Sequence, residues 1–251
     1  MRGSSRLLAP GFTKRSLNEL KRFTKIALTQ EGIRTPMTPF LLLDFSDPDI
    51  IPACKTMSDA DLGGFSNASL DQVPRNSSQP AHARFHGSIS TDLPRNRPQV
   101  QRTGYAGWRN KDRPATLFGK SLWDVDPYTY LALRVKSDGR KYFVNVQTES
   151  IVYTDLHQHR LHARKPGEWE TVLIEINAFV RTNHGEVVEP QTEMMRQKVR
   201  TVGVSLTDRV PGLFDLAISK VWASNGLNDE EMLKDERGDK FIEAGAQETA
   251  V

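Results

Sequence analysis

Cysteine is nearly absent from this chain, because Cys54 is the single one among 251 residues. One thiol cannot form a disulfide within the chain, so the sequence excludes a small domain held by cystine bridges and favours a reducing or disulfide-independent location. Long apolar runs are missing as well. The longest, at 40–43, is the length of a strand, whereas a helix that crosses a bilayer needs about 20 apolar residues. The sequence therefore predicts a soluble protein without a transmembrane helix.

Acidic residues are scarce at the amino end. Residues 1–30 hold seven lysines and arginines but one acid, Glu19, which gives this segment a charge of +6. Because the whole chain carries +3, the remaining residues carry −3. The basic pI of about 9.0 thus describes the amino end rather than the domain. A nucleic-acid-binding protein needs a basic face on its folded body, so that class loses its main support.

The same segment has helical spacing. Within 16–28, Leu17 and Leu20 fall on one side of a helix, and Ser16 with Glu19 resembles a capping box at its start. An acid-poor, arginine-containing, amphipathic amino end is typical of a mitochondrial transit peptide. The alternative is a basic helix that docks on the domain or on a partner. We interpret residues 1–30 as a targeting segment that contains this helix.

From residue 39 onward, short runs rich in β-branched and aromatic residues replace helical patterns. About nine or ten such runs, separated by turn residues, indicate a β-sandwich or barrel over 39–225. We expect 177–198 to be a short helical or irregular insertion, and 226–251 to be an acidic, solvated tail or weak helix. The main predicted strands are 39–45, 81–89, 103–108, 128–137, 140–147, 151–161, 168–176, 199–206 and 212–222.

The clearest local signal is Asp138-Gly139, which separates two runs of alternating apolar residues. An Asp-Gly pair in this setting predicts a hairpin, since a type I′ turn needs positive φ at both central positions. Arg134 and Arg140 flank the turn, and either could pair with an acid or present its charge to a partner. The residues expected on one face of each strand are Leu131, Leu133 and Val135, then Tyr142, Val144 and Val146.

Two sequence motifs of known enzymes are incomplete. Gly119-Lys120-Ser121 matches the end of a phosphate-binding loop, but Pro114 stands where the first glycine belongs. The segment 64–68, Gly-Phe-Ser-Asn-Ala, nearly matches a nucleophile elbow but ends in alanine. Nucleotide binding and serine hydrolysis are therefore disfavoured.

Two clusters could hold a metal. His157 and His159 face the same side of a strand, but a third ligand from His162 needs a bend, and Asp155 is the only suitably spaced acid. The alternative is a polar strand face. Asp59 and Asp61 precede two glycines, which suits a calcium loop but suits a turn better, because aspartates accept local N–H bonds there. We assign no catalytic, cofactor or metal residue.

Four tryptophans could line a sugar-binding surface: Trp108, Trp123, Trp169 and Trp222. Each lies in or beside a predicted strand, where a large aromatic residue usually belongs to the core or its edge. Paired carboxylates do not stand out, so glycosidase chemistry has no support. A carbohydrate-binding module is the alternative to the function given next.

Six blocks in order across 39–223 resemble the complex I intermediate-associated protein 30 family, whose members are assembly factors of mitochondrial NADH:ubiquinone oxidoreductase. Each block is weakly specific, but their order and spacing make the resemblance strong. The basic amino end is similar to that of a fungal-type member. The blocks are SDADLGGFS (58–66), ARFHGSIS (83–90), GYAGW (104–108), LALRVKSDGRKYFVNV (131–146), GEWETVLIEINAF (167–179) and VRTVGVSLTDRVPGLFDLAISKVWA (199–223).

This resemblance implies a fold and a role. The fold is a galactose-binding-like jelly-roll sandwich. The role is non-enzymatic: an assembly chaperone that binds membrane-arm intermediates of complex I, together with other assembly factors, on the matrix side of the inner mitochondrial membrane. Peripheral contact with that membrane is expected through the basic helix, and nucleic acid is not expected as a partner.

Overall fold

The computed structural model describes residues 11–29, 38–150, 152–226 and 229–233. Two sheets built from antiparallel pairs face each other as a β-sandwich, and one helix, α1 (Phe12–Thr29), precedes them. The prediction of an all-β protein with an amino-terminal helix is confirmed. The acidic tail proposed at 226–251 lies mostly outside the described residues, and whether 1–30 is a targeting segment stays a prediction.

One sheet has six strands, in the order β3-β4-β13-β6-β9, with β1 also pairing to β13. The long strand β13 is central, because it pairs with β1, β4 and β6. The strands are β1 (Phe40–Asp44), β3 (Asn67–Val73), β4 (His82–Ile89), β6 (Tyr130–Ser137), β9 (Trp169–Glu175) and β13 (Gly212–Ser224).

The other sheet has seven strands, in the order β11-β10-β8-β7-β12-β5-β2. Its central strands are rich in β-branched residues, which favour a pleated, buried surface. The strands are β2 (Cys54–Ser58), β5 (Ala106–Asn110), β7 (Tyr142–Thr148), β8 (Asp155–Arg160), β10 (Val180–Asn183), β11 (Glu186–Val187) and β12 (Val199–Leu206).

The hydrophobic core lies between the two sheets. Leu133 and Val135 come from the six-stranded sheet, Val144 and Leu206 from the seven-stranded sheet, and all four are buried. Trp108 belongs to the same core and packs edge-on against Phe45, with 5.4 Å between ring centroids. Along β7 the alternation places every second side chain in this interior, whereas β12 and β13 are buried at nearly every position.

The described residues hold thirteen strands, more than the sequence patterns indicate. The segment 46–62 contains β2. The segment 177–198 contains β10 and β11 in addition to the irregular stretch 188–195 and a 3₁₀ turn at Arg196–Lys198. The missed strand β3 and the strands β2 and β11 lie at sheet edges. Edge strands are polar and short, because one of their sides meets solvent, so they lack the apolar alternation that reveals a strand.

The predicted hairpin at Asp138-Gly139 is wrong. Strands β6 and β7 lie in different sheets, and the turn carries the chain from one sheet to the other. Only Gly139, at φ 90°, has the positive φ that a type I′ turn demands of both central residues. The apolar faces predicted for the two strands are buried, as expected. They face each other across the core instead of lying side by side on one sheet. We call residues 138–141 the sheet crossing.

The carboxylate of Asp138 holds the sheet crossing together. It accepts the backbone N–H of Arg140 at 2.9 Å, the N–H of Asp215 at 2.8 Å and the hydroxyl of Tyr142 at 3.1 Å. Burial, together with the Asp138 carboxylate, raises the pKa of Tyr142 and keeps the phenol protonated as the donor. One side chain therefore connects the crossing to both sheets.

Helix α1 begins four residues before the predicted capping box. Ser16 therefore lies within the helix, and its hydroxyl accepts the N–H of Leu117 instead of capping the helix start. Cys54 lies in β2 and is buried. Burial raises the pKa of its thiol to about 11, so the group is protonated and unreactive at neutral pH.

Replacing Asp138 tests the role of the sheet crossing. Asp138→Ala removes the acceptor of three hydrogen bonds, and we expect the free energy of unfolding to fall by about 2–3 kcal/mol. Lys141→Ala, at an exposed residue of the same crossing, should change it by less than about 0.5 kcal/mol. Urea denaturation of the two variants measures the difference, and equal effects would contradict the assignment.

Candidate functional site

Five connecting segments meet at one end of the sandwich. Ser58 at the end of β2 pairs with Ala106 at the start of β5, and Ile89 at the end of β4 pairs with Gly212 at the start of β13. The segments 59–66, 90–105 and 207–211 therefore emerge on the same side as the sheet crossing. The fifth segment, 161–168, reaches this end as well, since an atom at the Cβ position of Gly139 would contact Pro166 at 3.3 Å.

Large apolar side chains are exposed at this end. Each is between 52% and 83% exposed, and together they form what we call the loop surface. Single exposed apolar residues are ordinary, but several on adjoining loops mark a surface that binds another molecule. The residues of the loop surface are Leu62, Phe65, Leu93, Val210 and Leu213.

The loops that carry the loop surface are in contact with one another. The side chain of Arg97 lies beside Gly63, and the backbone of Arg209 lies beside Gly104, at 3.1 Å and 3.4 Å from the respective Cβ positions. Arg95, Arg97 and Arg209 are exposed here, and so are Asp61 and Asp92. The loop surface therefore combines apolar side chains with charged residues of both signs, among which the arginines outnumber the aspartates.

Asp59 organises the first loops. Its carboxylate is buried and accepts the N–H of Ser66 at 2.8 Å, of Gly104 at 2.5 Å and of Tyr105 at 3.3 Å. The hydroxyl of Ser66 donates to the same carboxylate at 2.8 Å. Gly64 is required beside it, since a Cβ there would lie 2.6 Å from the carboxylate. This arrangement matches the turn interpretation of the segment, because the carboxylate accepts four hydrogen bonds from the loops around it.

Arg140 organises the last loop. Its guanidinium binds the Asp208 carboxylate in a two-pronged pair at 3.1 Å and 2.7 Å, with both side chains largely buried. It also donates to the carbonyls of Gly212 and Leu213, and by a further short bond to Val210. Arg140 therefore pairs with an acid of the sandwich, the first of the two alternatives that the sequence leaves open. Val210 and Leu213 owe their positions to this network.

The incomplete enzyme motifs have structural roles. Gly119 closes a tight turn with Thr116, and the amine of Lys120 pairs with Glu149. Ser66 is buried against Asp59 and accepts the N–H of Ser90. The structure brings none of these groups to a shared cleft with a base, so neither motif forms a nucleophilic or phosphate-binding site.

The histidines do not converge as a trio. His159 and His162 lie 5.9 Å apart by ring centroids, while His157 is buried. Within the described ranges, no three histidine, cysteine or acidic side chains are placed to hold a metal ion. Burial and the nearby Arg181 lower the pKa of His157. For Asp155, burial acts to raise the pKa but is outweighed by hydrogen bonds from Asn183 and Arg181, so its pKa is lowered.

The tryptophans do not form an exposed row. Trp108, Trp123 and Trp222 are buried, and Trp123 lies under the Arg113 guanidinium at 4.4 Å from the ring centroid. Trp169 alone is half-buried, and it lines a cleft of about 540 Å³ with Arg134 and the 75–80 loop. The arrangement lacks the exposed aromatic platform on which a sugar ring stacks.

Sequence reasoning missed the loop surface. Phe65, Val210 and Leu213 stand singly in turn segments, and only the strand registers bring them to one end. The one sequence signal for this surface is that isolated apolar residues stand among many turn residues. Isolated apolar residues are common at any protein surface, so the signal is weak.

The fold places the chain in a known structural class. A similar solved structure is the family 11 carbohydrate-binding module of a cellulosomal cellulase from Clostridium thermocellum, with a TM-score of 0.53 over 76% of this chain and 97% of that module. The identity is 14%, so the likeness shows the fold alone. The chain is a jelly-roll β-sandwich, and the sequence resemblance implies this architecture.

Sequence comparison identifies the family. The family profile described as "Complex I intermediate-associated protein 30" matches residues 43–218. The chain belongs to the complex I intermediate-associated protein 30 family. The predicted resemblance is confirmed.

The relatives share the printed name "Complex I intermediate-associated protein 30, mitochondrial". The Neurospora crassa protein is 50% identical over 91% of this chain and 89% of its own length. The Drosophila melanogaster protein is 28% identical over 72% of this chain and 61% of its own length. The Mus musculus protein is 29% identical over 64% of this chain and 48% of its own length. The matched region is therefore about half of that relative.

The loop support can be tested by replacing Asp59. Asp59→Ala leaves three backbone N–H groups without an acceptor, and we expect a loss of about 3 kcal/mol or more in the free energy of unfolding. Asp61→Ala changes an exposed acid two residues away and should cost less than about 0.5 kcal/mol. Chemical denaturation compares the two. A small effect at Asp59 would show that the loops do not depend on it.

The buried His157 predicts a dependence of stability on pH. Folding lowers the pKa of His157 below its ordinary value of 6.5. The unfolded chain therefore binds a proton first as the pH falls, and stability declines from about pH 6.5 downward. Each pKa unit of the lowering corresponds to about 1.4 kcal/mol.

A histidine variant isolates this effect. His157→Asn should flatten the decline in urea midpoint between pH 7 and pH 5, whereas the exposed His184→Asn should keep it. If both variants decline like the wild type, another group causes the acid sensitivity.

Proposed function

We propose that this protein is a non-enzymatic assembly factor of mitochondrial respiratory complex I. The observation that carries the proposal is membership of the family, with 50% identity to the Neurospora crassa protein across nearly the whole of both chains. The printed names of the fungal, insect and mouse relatives support a mitochondrial role connected with complex I intermediates. Within the described residues, no grouping of side chains points to catalysis instead.

The loop surface supports a binding role in this process. Unassembled membrane subunits expose apolar surface, which must be covered until their partners arrive. We infer that the loop surface covers such a region on a membrane-arm intermediate, or on another assembly factor bound to it, on the matrix side of the inner membrane. Asp59 and Arg140 hold the loops in advance, which lowers the entropy lost on binding.

The role itself is tested by deletion. A strain that lacks the gene should accumulate a complex I subassembly, and native gels of its mitochondria should show little mature complex I. Normal complex I with no accumulated subassembly would overturn the proposal. Gene replacement with the wild-type sequence must restore assembly.

Replacement of the loop surface tests how the role is performed. Phe65→Ser with Leu213→Ser should weaken partner binding roughly tenfold or more if both residues are hot spots, and mature complex I should fall accordingly. Val187→Ser with Tyr153→Ser provides a control, because these residues are equally exposed on other parts of the sandwich. Native gels and crosslinking mass spectrometry of the two strains measure the effect. Equal assembly in both strains would remove the loop surface from the proposal.

A further inference from the structure

A second apolar surface lies at the opposite end of the sandwich. The connection between β5 and β6 contains a tight turn in which Thr116 and Gly119 exchange backbone hydrogen bonds at 2.8 Å and 3.1 Å. Its two-residue tip is Leu117-Phe118, and both side chains are exposed. Because these two hydrogen bonds fix the turn, its two tip residues are held at the surface.

Helix α1 lies directly beside this turn. The N–H of Leu117 donates to the hydroxyl of Ser16 at 3.0 Å. Leu17 and Leu20, three residues apart and thus on one side of the helix, are exposed, while Phe12, Ser16 and Glu19 are partly covered. We call Leu17, Leu20, Leu117 and Phe118 the turn–helix surface. Its members are between 49% and 67% exposed.

Basic residues border the turn–helix surface. Lys14 and Lys21 are exposed on the helix, and Lys120 is exposed next to the turn, where it pairs with Glu149. The sequence of α1 contains five basic residues and one acid, and 113–120 contains two basic residues and no acid. Apolar side chains bordered by lysines fit a surface that is apolar inside and anionic outside.

We propose that the turn–helix surface binds the headgroup region of an anionic phospholipid bilayer. Leu117 and Phe118 enter the boundary between headgroups and acyl chains, and α1 lies flat beside them with its lysines at the phosphates. Within the described residues, no helix is long and apolar enough to cross a bilayer, so the contact is peripheral.

A bilayer fits this surface better than a protein partner does. The apolar residues sit at the tip of a tight turn and along one side of a helix, next to exposed lysines. An anionic bilayer supplies both an apolar layer for such side chains and negative charge for the lysines. The proposal rests on the inner-membrane association proposed above and identifies the residues that perform it.

Vesicle flotation with the full chain tests the proposal. Vesicles of phosphatidylcholine containing about one third phosphatidylserine should carry the protein upward, while phosphatidylcholine alone should not, because the lysines need anionic lipid. Raising the salt to about 0.5 M should release it. Equal flotation with both vesicle types, or none with either, would overturn the proposal.

Variants assign the binding to these residues. Leu117→Ser with Phe118→Ser should reduce the vesicle-bound fraction about tenfold or more, since both lose their burial in the bilayer. Leu173→Ser with Val180→Ser, at exposed positions of β9 and β10 outside both surfaces, should bind like the wild type. Thermal unfolding confirms that both variants fold. Unchanged binding of the first variant would overturn the proposal.

A fluorescent variant gives an independent reading. Phe118→Trp should show a blue shift with anionic vesicles and quenching by brominated acyl chains beyond that of the wild type, whereas Leu173→Trp, at an exposed position of β9, should add neither. Absence of both signals at position 118 would count against insertion.

This outcome is separate from that of the proposed function. If the Leu117→Ser/Phe118→Ser variant loses vesicle binding but restores complex I in the deletion strain, the lipid contact is supported and is not needed for assembly. If the wild-type protein binds anionic vesicles but the deletion strain makes normal complex I, the lipid contact stands and the assembly role is overturned.

Discussion

The interaction on which the sandwich depends is the set of hydrogen bonds that the Asp138 carboxylate makes at the sheet crossing. It binds Arg140 within the crossing, Asp215 in the six-stranded sheet and Tyr142 at the start of β7. Because β6 and β7 lie in opposite sheets, this crossing places their apolar faces against each other. Arg140 extends the same network to Asp208 and the last loop. Two neighbouring side chains, Asp138 and Arg140, therefore position the core strands and the loop surface.

Much of the fold can be predicted from the sequence, because alternation identifies which side chains face inward. Leu131, Leu133 and Val135 and their counterparts on β7 are buried as expected. Which strand pairs with which is not readable, since an Asp-Gly turn between two strands fits a hairpin and a crossing equally. The choice depends on distant residues such as Asp215. The edge strand β11 and its neighbour β10 escape prediction because they are short and their polar sequences resemble loops.

The candidate site is less predictable than the fold. Family membership could be read from ordered blocks, but the loop surface depends on registers that bring Phe65 and Leu213 together from positions far apart in the chain. The apparent motifs around Ser66 and Asp59 have one cause in common: both residues support the loops that carry exposed apolar side chains. Ser66 and Asp59, which look catalytic in the sequence, instead hold the loop surface in shape.

The central position of β13 has a consequence for how the chain acquires its structure. This strand ends at Ser224 and pairs with β1, β4 and β6. The pairing with β1 joins Phe40 to Ala223, from opposite ends of the domain. The six-stranded sheet cannot close until the last part of the domain is present. Contacts of such long sequence separation slow folding. A growing chain therefore cannot complete this sheet, and the loop surface is held in place only once β13 has formed.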